Sequence, residues 1–397
     1  MNTLKISFYN VLRKPLSALL TIVMLVLGTA LVSVLLQVGT SLDEGFRKNI
    51  KGIDMVVGAK GSPLGLILSA VYQIDNPTGN ISRREAQELS RHRLIENTIE
   101  LSFGDSYKGR RIVGTSHDYP ALYEMELSEG RLWEETFEAT LGAQVANEFG
   151  LKVGDTFFSA HGSDVEAELH DDHPFTVTGI FEPSGTVIDR LLLTDQRSVW
   201  ELHPPAPGDT LAEHNREITA MLVMFKNKMG ILPLPRYVNK ETSMQAALPA
   251  IEINRLFELF GLGIAALRVV AIVIMVLGGI SIFVSMLNAL KERAYEMAII
   301  RSMGAMRRQV FGMIITEAVI LGIIGYIFGM LLAHAGLYTL SQTAGDEFGI
   351  AIDPWHIMTE ELWLSGGIVL LCIIAAIVPA VKTVRMDVSK VLSSYAQ

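Results

Sequence analysis

The chain has 397 residues, of which 33 are Lys or Arg and 42 are Asp or Glu, so its formal net charge is −9. Half of the residues are hydrophobic and only 19% are charged, whereas soluble domains carry about 25% charged residues. This composition argues against an ordinary soluble enzyme and against a disordered chain, and an acidic chain without a basic segment is poorly suited to bind nucleic acid. The single cysteine, Cys372, excludes an intrachain disulfide and a cysteine-ligated zinc finger.

The hydrophobic residues are concentrated in four uncharged segments, each long enough to cross about 30 Å of hydrocarbon as a helix. We therefore predict a membrane protein with four transmembrane helices, at residues 16–42, 263–290, 311–340 and 362–381. The first segment is too long for the apolar core of a signal peptide and no A-x-A cleavage site follows it, so it is predicted to be a retained span. Glu317 and His334 lie near the ends of the third span, either at the lipid–water boundary or as part of an ion relay.

The positions of the basic residues predict the orientation, because short cytoplasmic loops are enriched in Lys and Arg. Basic residues cluster in the N-terminal segment 1–15, in loop 291–310 and in the tail 382–397. Loop 341–361, in contrast, has acidic residues and neither Lys nor Arg. Both termini are therefore expected in the cytoplasm, and residues 43–262 are expected outside.

The external segment 43–262 has a mixed α and β pattern. Helices are predicted at 82–92, with Ser82 and Glu85 forming a capping box, and at 141–149, ended by Gly150. A helical stalk is predicted at 242–270, entering the second span, and a partner stalk at 40–51. The remaining predicted elements are strands at 110–115, 155–159, 175–181, 190–194 and 220–225, with turn-rich loops at 58–65 and 75–80. The predicted fold class is thus an α-helical four-span bundle with an α+β domain inserted between spans 1 and 2.

The sequence contains no Walker A motif, no H-E-x-x-H and no G-x-S-x-G. One segment, HGSDVEAELHDDH, places His161, His170 and His173 among five carboxylates. Imidazole and carboxylate together suit zinc, copper or nickel, and zinc is the candidate metal here. The same composition also fits a solvated hairpin tip between the strands predicted at 155–159 and 175–181.

The segment KERAYEMAIIRSMGA in loop 291–310 is the most specific motif of the chain. It resembles K-x-R-x-x-E-I-A-x-x-R-x-x-G-A, the signature that follows the second span in the MacB/FtsX-like ABC transporter permease family, with Met297 in place of the usual Ile. The C-terminal VPAVKTVRMDVSKVLSS and the N-terminal FYNVLRKPLSALLTI resemble the family's ending and opening. In the family the opening is an interfacial helix, expected here at 1–15.

The resemblance implies a permease subunit that pairs with a second copy of itself or with a related permease. ATP would be bound by a separate ABC ATP-binding subunit, so the chain itself is expected to be no enzyme and to need no cofactor. ATP-driven motion would pass through the stalks to a periplasmic domain at 43–262, for export or extraction of a substrate. The expected location is a bacterial inner membrane, in contact with lipid and with a periplasmic partner. The predicted ATPase-coupling residues are Lys291, Glu292, Arg293, Glu296, Arg301, Gly304 and Ala305.

The sequence is also compatible with two other functions. The chain could be a membrane sensor or scaffold that binds a ligand outside and a regulator inside. It could also be a metal-handling receptor built around the three histidines. The handled substrate stays open as well, because lipid-linked proteins, hydrophobic small molecules, peptides and metal complexes all fit an unassigned external domain.

Overall fold

The computed structural model describes residues 15–161, 173–203, 216–343 and 353–388. The chain divides into two compact units. The first, called here the inserted domain, lies within Leu42–Leu259. The second, called the helical unit, is made of the described residues before and after the inserted domain.

The helices among the described residues are between 5 and 54 residues long. In chain order they are α1 (Pro15–Asn49), α2 (Pro63–Ala70), α3 (Arg83–Ser90), α4 (Asp118–Leu122), α5 (Ala143–Phe149), α6 (Gln196–Leu202), α7 (Pro233–Glu241), α8 (Pro249–Ser302), α9 (Arg307–Thr343) and α10 (Thr359–Val384). Within the described ranges, four of them are long and apolar enough to cross a membrane: α1, α8, α9 and α10. The four predicted spans are thus matched by four helices, and α1 continues beyond the first apolar segment to Asn49 as expected.

Close packing in the helical unit depends on glycines of α9. A Cβ added at Gly325 would lie 2.6 Å from the Cβ of Leu25, and one added at Gly329 would lie 2.5 Å from the Cβ of Thr29. Both distances are shorter than real Cβ contacts, so only glycine lets α9 approach α1 this closely. Small residues at helix contacts are how membrane helices gain van der Waals packing in the absence of a hydrophobic driving force. The buried centre of the unit also includes Ile282, Ile368 and Cys372.

The inserted domain is organised around one mixed sheet. Its strands are β1 (Met55–Ala59), β2 (Ile81–Ser82), β3 (Ile95–Tyr107), β4 (Arg110–Thr115), β5 (Leu127–Gly130), β6 (Glu138–Leu141), β7 (Thr156–Phe157), β8 (Ala160–His161), β9 (Phe175–Phe181), β10 (Leu192–Asp195), β11 (Glu217–Ile218), β12 (Ala220–Phe225) and β13 (Met244–Ala247). The main order among the described strands is β13-β1-β12-β3-β4-β10-β6-β9-β5, with β7 beside β9 and β8 beside β3. Strands β11 and β2 form a separate pair.

Both faces of this sheet are covered. Val56 of β1 lies in one apolar cluster, whereas its neighbours Met55 and Val57 lie in another, because successive strand residues point to opposite faces. Leu66 and Ile67 of α2 belong to the first cluster, and the second includes residues of α3 and α7. A sheet buried on both sides is a rigid platform for the loops at its edges.

Five predicted strands and the helix predicted at 141–149 are present in the inserted domain, and three of the strands have the predicted bounds. The strands at 110–115, 175–181 and 220–225 coincide with β4, β9 and β12. The strand at 155–159 is reduced to β7, and the one at 190–194 is shifted to β10. The helix at 141–149 begins two residues later, since Leu141 belongs to β6, and it ends at Gly150, whose φ of +66° is a left-handed cap.

Other predictions for this domain are wrong. Residues 242–270 are not one helix, because Met244–Ala247 pairs with β1 and α8 begins only at Pro249. The segment 58–65 is not only a loop, since it contains the end of β1 and the start of α2. The capping box at Ser82 is absent: the Glu85 carboxylate instead accepts hydrogen bonds from the backbone N–H (3.0 Å) and hydroxyl (2.5 Å) of Ser243.

Candidate functional site

The predicted coupling segment spans the end of α8 and the turn into α9. Lys291, Glu292 and Arg293 lie within α8, and their side chains are outside the described part of the structure. Glu296, one turn further along the helix, is exposed. An exposed carboxylate at a helix end can contact a protein that docks against it, which is the role predicted for this residue.

The turn after α8 has the geometry predicted for Gly304. Its φ is +96°, a left-handed conformation that favours glycine, and its N–H donates to the Arg301 carbonyl at 3.1 Å. The Ala305 N–H donates to the Ile300 carbonyl at 3.2 Å, which closes the end of the helix. The turn therefore ends α8 sharply and lets α9 begin at Arg307.

Arg301 contacts the chain beyond α10 rather than only presenting charge to solvent. Its Nη1 donates to the Met386 carbonyl at 2.7 Å and to the Val384 carbonyl at 3.5 Å. The two carbonyls lie at the C-terminal end of α10, where backbone acceptors lack helical partners. Met386 also packs against a buried cluster that includes Met297 and Val310. Arg301 thus joins the end of α8 to the end of α10.

A groove of about 890 Å³ lies between residues 284–294 of α8 and residues 377–386 at the end of α10, and it includes Met386 of this junction. Its walls are mainly apolar, and Lys382 and Arg385 line it at the end of α10. The side chains that form the helix junction and the groove therefore combine a hydrophobic surface with positive charge.

A buried polar cluster, which the sequence did not reveal, lies elsewhere in the helical unit. Glu361, fully buried in α10, accepts hydrogen bonds from the Ser33 hydroxyl, from Gln37 Nε2 at 2.9 Å and from the Met358 N–H at 3.0 Å. The Tyr326 hydroxyl of α9 donates to the Glu361 carbonyl at 3.2 Å. The cluster connects α1, α9 and the first turn of α10.

The available signal for this cluster was weak. In the sequence, Glu361 directly precedes the fourth apolar segment, and Ser33 and Gln37 are single polar residues within the first. Polar residues of membrane spans face the bundle interior and pair with one another, which is the rule that could have identified them. His334 is similarly placed: it is buried, and its Nδ1 lies 2.6 Å from the Pro354 carbonyl.

Of the three histidines of the candidate metal site, the structure describes His161 and His173, which border the segment 162–172 that it does not describe. His161 is the last residue of β8, and His170 lies outside the described residues. The exposed His173 stacks on Phe137, with ring centroids 4.9 Å apart and planes inclined by 6°. In the described ranges no group of three or more His, Cys, Asp or Glu is arranged to hold a metal ion. Zinc binding by this segment stays a prediction.

Comparison with known proteins decides the family. The model of the MacB-like periplasmic core domain matches residues 18–228, which is more than half of the chain, and the model of the FtsX-like permease C-terminal matches residues 268–388. The chain belongs to the MacB/FtsX-type family of ABC transporter permeases. The inserted domain and the α8–α10 region thus correspond to the two parts of one permease, and the sensor and metal-receptor alternatives find no support.

Individual relatives agree with this family. The chain is 24% identical to the macrolide export ATP-binding/permease protein MacB of Nitrobacter winogradskyi, over 94% of this chain and 57% of that protein. It is 26% identical to the pyoverdine export ATP-binding/permease protein PvdT of Pseudomonas fluorescens, over 82% of this chain and 50% of that protein. The chain therefore spans about half the length of the curated relatives it matches. The crystal structure of the periplasmic region of MacB from Actinobacillus actinomycetemcomitans is similar with a TM-score of 0.35 and 14% identity, covering 54% of this chain and 97% of that one.

Proposed function

We propose that this chain is the membrane-embedded part of an ABC exporter and passes ATP-driven motion to its inserted domain. The observation that carries the proposal is the match of both permease parts in one chain, with the KERAYEMAIIRSMGA segment at the turn between α8 and α9. The substrate would be exported or extracted at the inserted domain. The relatives' names, macrolide and pyoverdine export proteins, support export as the process and leave the substrate of this chain open.

ATP binding is assigned to a partner. The sequence has no Walker A motif to cradle phosphates, so its own residues offer no such site. We therefore expect an ABC ATP-binding subunit to dock on the helical unit, and the chain to be no ATPase by itself and to need no cofactor. A second copy of this chain, or a related permease, would complete the transporter.

The docking surface is assigned to the coupling segment. Glu296 is exposed there, and Arg301 fixes the end of α8 against the end of α10 through Met386. Charged side chains at an interface determine encounter rate and partner specificity more than raw affinity. Because α8 and α10 are joined at this end, a force applied to the turn would reach two helices at once.

The orientation follows from the positive-inside rule. Arg307 and Arg308, both exposed, follow the turn at Gly304 and are expected on the cytoplasmic side with the ATPase. The chain would then span the inner membrane of a bacterium. Its inserted domain would lie in the periplasm, and both of its termini would lie in the cytoplasm. A periplasmic partner could receive the substrate from this domain.

The experiment uses the permease purified together with its ATPase and reconstituted in lipid. Glu296→Lys is expected to lower permease-stimulated ATP hydrolysis at least tenfold, equivalent to about 1.4 kcal/mol of lost interaction. Glu258→Lys, the same charge reversal at another exposed position of α8, is the matched control and is expected to keep full stimulation. Both variants should insert and unfold like the wild type.

Equal stimulation by Glu296→Lys and Glu258→Lys would contradict the docking assignment. Arg301→Glu is a less specific test, because it also removes the hydrogen bond to Met386 and disturbs the helical unit itself. If no ATPase is retained by the wild-type chain under mild detergent conditions, the proposed transporter function fails.

A further inference from the structure

A polar cavity of about 600 Å³ lies within the inserted domain. It is lined by the β3–β4 hairpin, by the segment that follows α2 and by the end of the short 3-10 helix Val187–Arg190, and it is partly open to solvent. Its polar and charged lining includes Gln73, Asp75, Ser106, Arg110, Arg111 and Arg190. The volume is in the range of small-molecule sites, about 300–1,000 Å³.

The walls of the cavity are held by an unusual backbone. Gln73 has a φ of +59°, a left-handed conformation that is rare for residues other than glycine, and its Oε1 accepts a hydrogen bond from Arg111 Nη1 at 2.9 Å. Arg111 Nη2 donates to the Asp75 carbonyl at 2.9 Å. On the opposite wall, the pairing of β3 with β4 is interrupted between Phe103 and Ser106. Left-handed backbone at a residue other than glycine, as at Gln73, is often found at ligand sites.

Positive charge converges on the cavity. Burial, and then the nearby charge of Arg110, lower the pKa of Arg190. Arg110 itself forms an ion pair with Glu148 at 2.7 Å. Within the described residues, the hydrogen bond of Arg190 is a long one, from Nη2 to the Tyr72 carbonyl at 3.4 Å, and the Asp189 carboxylate acts on it only through its charge. The Nε of Arg190 is buried and has no hydrogen-bond partner among the described residues. A guanidinium in this state has donors left for an acceptor.

A second buried donor lies on the other wall. Ser106 is 3% exposed, and its Oγ has no hydrogen-bond partner in the described part of the chain. Two carboxylates also line the cavity. Asp75 Oδ1 accepts from the Asn76 N–H at 2.7 Å, and Asp105 Oδ2 lies 3.2 Å from His203 Nε2, whereas the buried Oδ1 of Asp105 meets no hydrogen-bond donor among the described residues. The guanidinium groups of Arg110, Arg111 and Arg190 outnumber these two carboxylates, so the lining stays positive. Because buried polar groups are normally paired, the Ser106 hydroxyl and the Arg190 Nε, which have no acceptor among the described residues, indicate that an acceptor is missing.

We propose that this cavity binds a small ligand through an anionic group, a carboxylate or a phosphate, which accepts hydrogen bonds from the Arg190 guanidinium and the Ser106 hydroxyl. The planar guanidinium matches either oxyanion, and hydrogen bonds to a charged acceptor are about twice as strong as neutral ones. Arg111 positions the wall by holding Gln73 and Asp75, and does not need to contact the ligand. The proposal is independent of ATP coupling, since it concerns the inserted domain alone.

The test is a calorimetric titration of the full chain in detergent, with inorganic phosphate and citrate as probes and chloride at equal ionic strength as the reference. Wild-type protein is expected to bind at least one of the two probes, and the probe that binds identifies the oxyanion. Ser106→Ala removes a hydroxyl without a described partner, so the unliganded protein should unfold at the same temperature or a higher one. Its affinity for the probe should fall about threefold to tenfold.

Arg190→Gln should weaken binding at least tenfold, since it removes the charge as well as the donors. Arg84→Gln is the control, because Arg84 is 72% exposed and pairs only with Glu88 along α3 in the described contacts. If Arg190→Gln fails to fold, the affinity of Ser106→Ala for the probe still tests whether the cavity binds an oxyanion. The proposal is overturned if wild-type protein binds neither probe at millimolar concentration, or if Ser106→Ala binds as tightly as Arg84→Gln.

Discussion

Replacing Glu361 with Ala is expected to lower the free energy of unfolding of the helical unit by about 2 kcal/mol. The Glu361 carboxylate accepts three hydrogen bonds, from Ser33, Gln37 and the Met358 N–H. Side-chain hydrogen bonds inside membrane proteins contribute about 0.6 kcal/mol on average and about 1.7 kcal/mol at most. Three bonds of average strength give about 2 kcal/mol. The buried Ser33 would lose its acceptor and have no water to replace it, whereas the buried Gln37 would keep its hydrogen bond to the His356 carbonyl at 3.0 Å.

Glu361→Gln should lose about half as much, because one side-chain oxygen remains as an acceptor while the new amide meets a donor. The measurement is equilibrium unfolding in mixed detergent micelles at fixed lipid content. Glu360→Ala is the matched control: Glu360 precedes Glu361 in the first turn of α10 but is exposed, so its loss should change the free energy by less than about 0.5 kcal/mol. Equal effects of the two alanine substitutions would refute the assignment of Glu361 as the centre of the cluster.

Two further predictions concern the inserted domain. Hydrogen bonding to Asp105 raises the pKa of His203, so the protonated imidazole stabilises the folded state below its ordinary pKa of about 6.5 and this contribution is lost as pH rises through the raised value. The difference in thermal stability between wild type and His203→Gln should therefore shrink from about pH 6 to about pH 8.5; a constant difference would show that the pair does not titrate in this window. Protease added outside intact spheroplasts should cleave within 43–262 and spare the turn at Gly304, whereas cleavage at that turn would reverse the proposed orientation.

Arg301 illustrates how one residue can carry two predictions. The family motif places it in the coupling segment, and the structure shows its guanidinium bound to the carbonyls of Val384 and Met386. A substitution there changes the packing of α8 against the end of α10 before any partner binds. Glu296, which is exposed on the same helix, separates the two effects and is therefore the better probe of docking.

The membrane-spanning part could be predicted from the sequence because its signal is local. Twenty or more consecutive apolar residues can satisfy their backbone in lipid only as a helix, so four such segments indicate four helices. The turn at Gly304 was equally local, since a glycine after a helical segment favours a left-handed cap. The strands β4, β9 and β12 were found because each of them contains β-branched or aromatic residues within a short segment, and in β9 such residues make up all but one of the seven.

Features that depend on distant partners were decided only by the tertiary structure. Met244–Ala247 has a composition compatible with the following helix, and it is a strand because β1 offers it hydrogen bonds. Glu85 was expected to cap its own helix and instead binds Ser243, which lies 158 residues away. In the sequence, Glu361 is a charge beside an apolar segment. In the structure, it accepts hydrogen bonds from Ser33 and Gln37, which lie more than 300 residues earlier.

The cavity lined by Ser106 and Arg190 belongs to the same class. The two residues are far apart in the chain and neither forms part of a recognisable motif, so no spacing rule brings them together. The four spans and the turn at Gly304 follow from the sequence alone, because a membrane helix and a helix end each depend on residues that are neighbours in the chain. The tertiary structure decided which polar groups meet and which remain without a partner, because hydrogen bonds between distant segments exist only after the chain has folded.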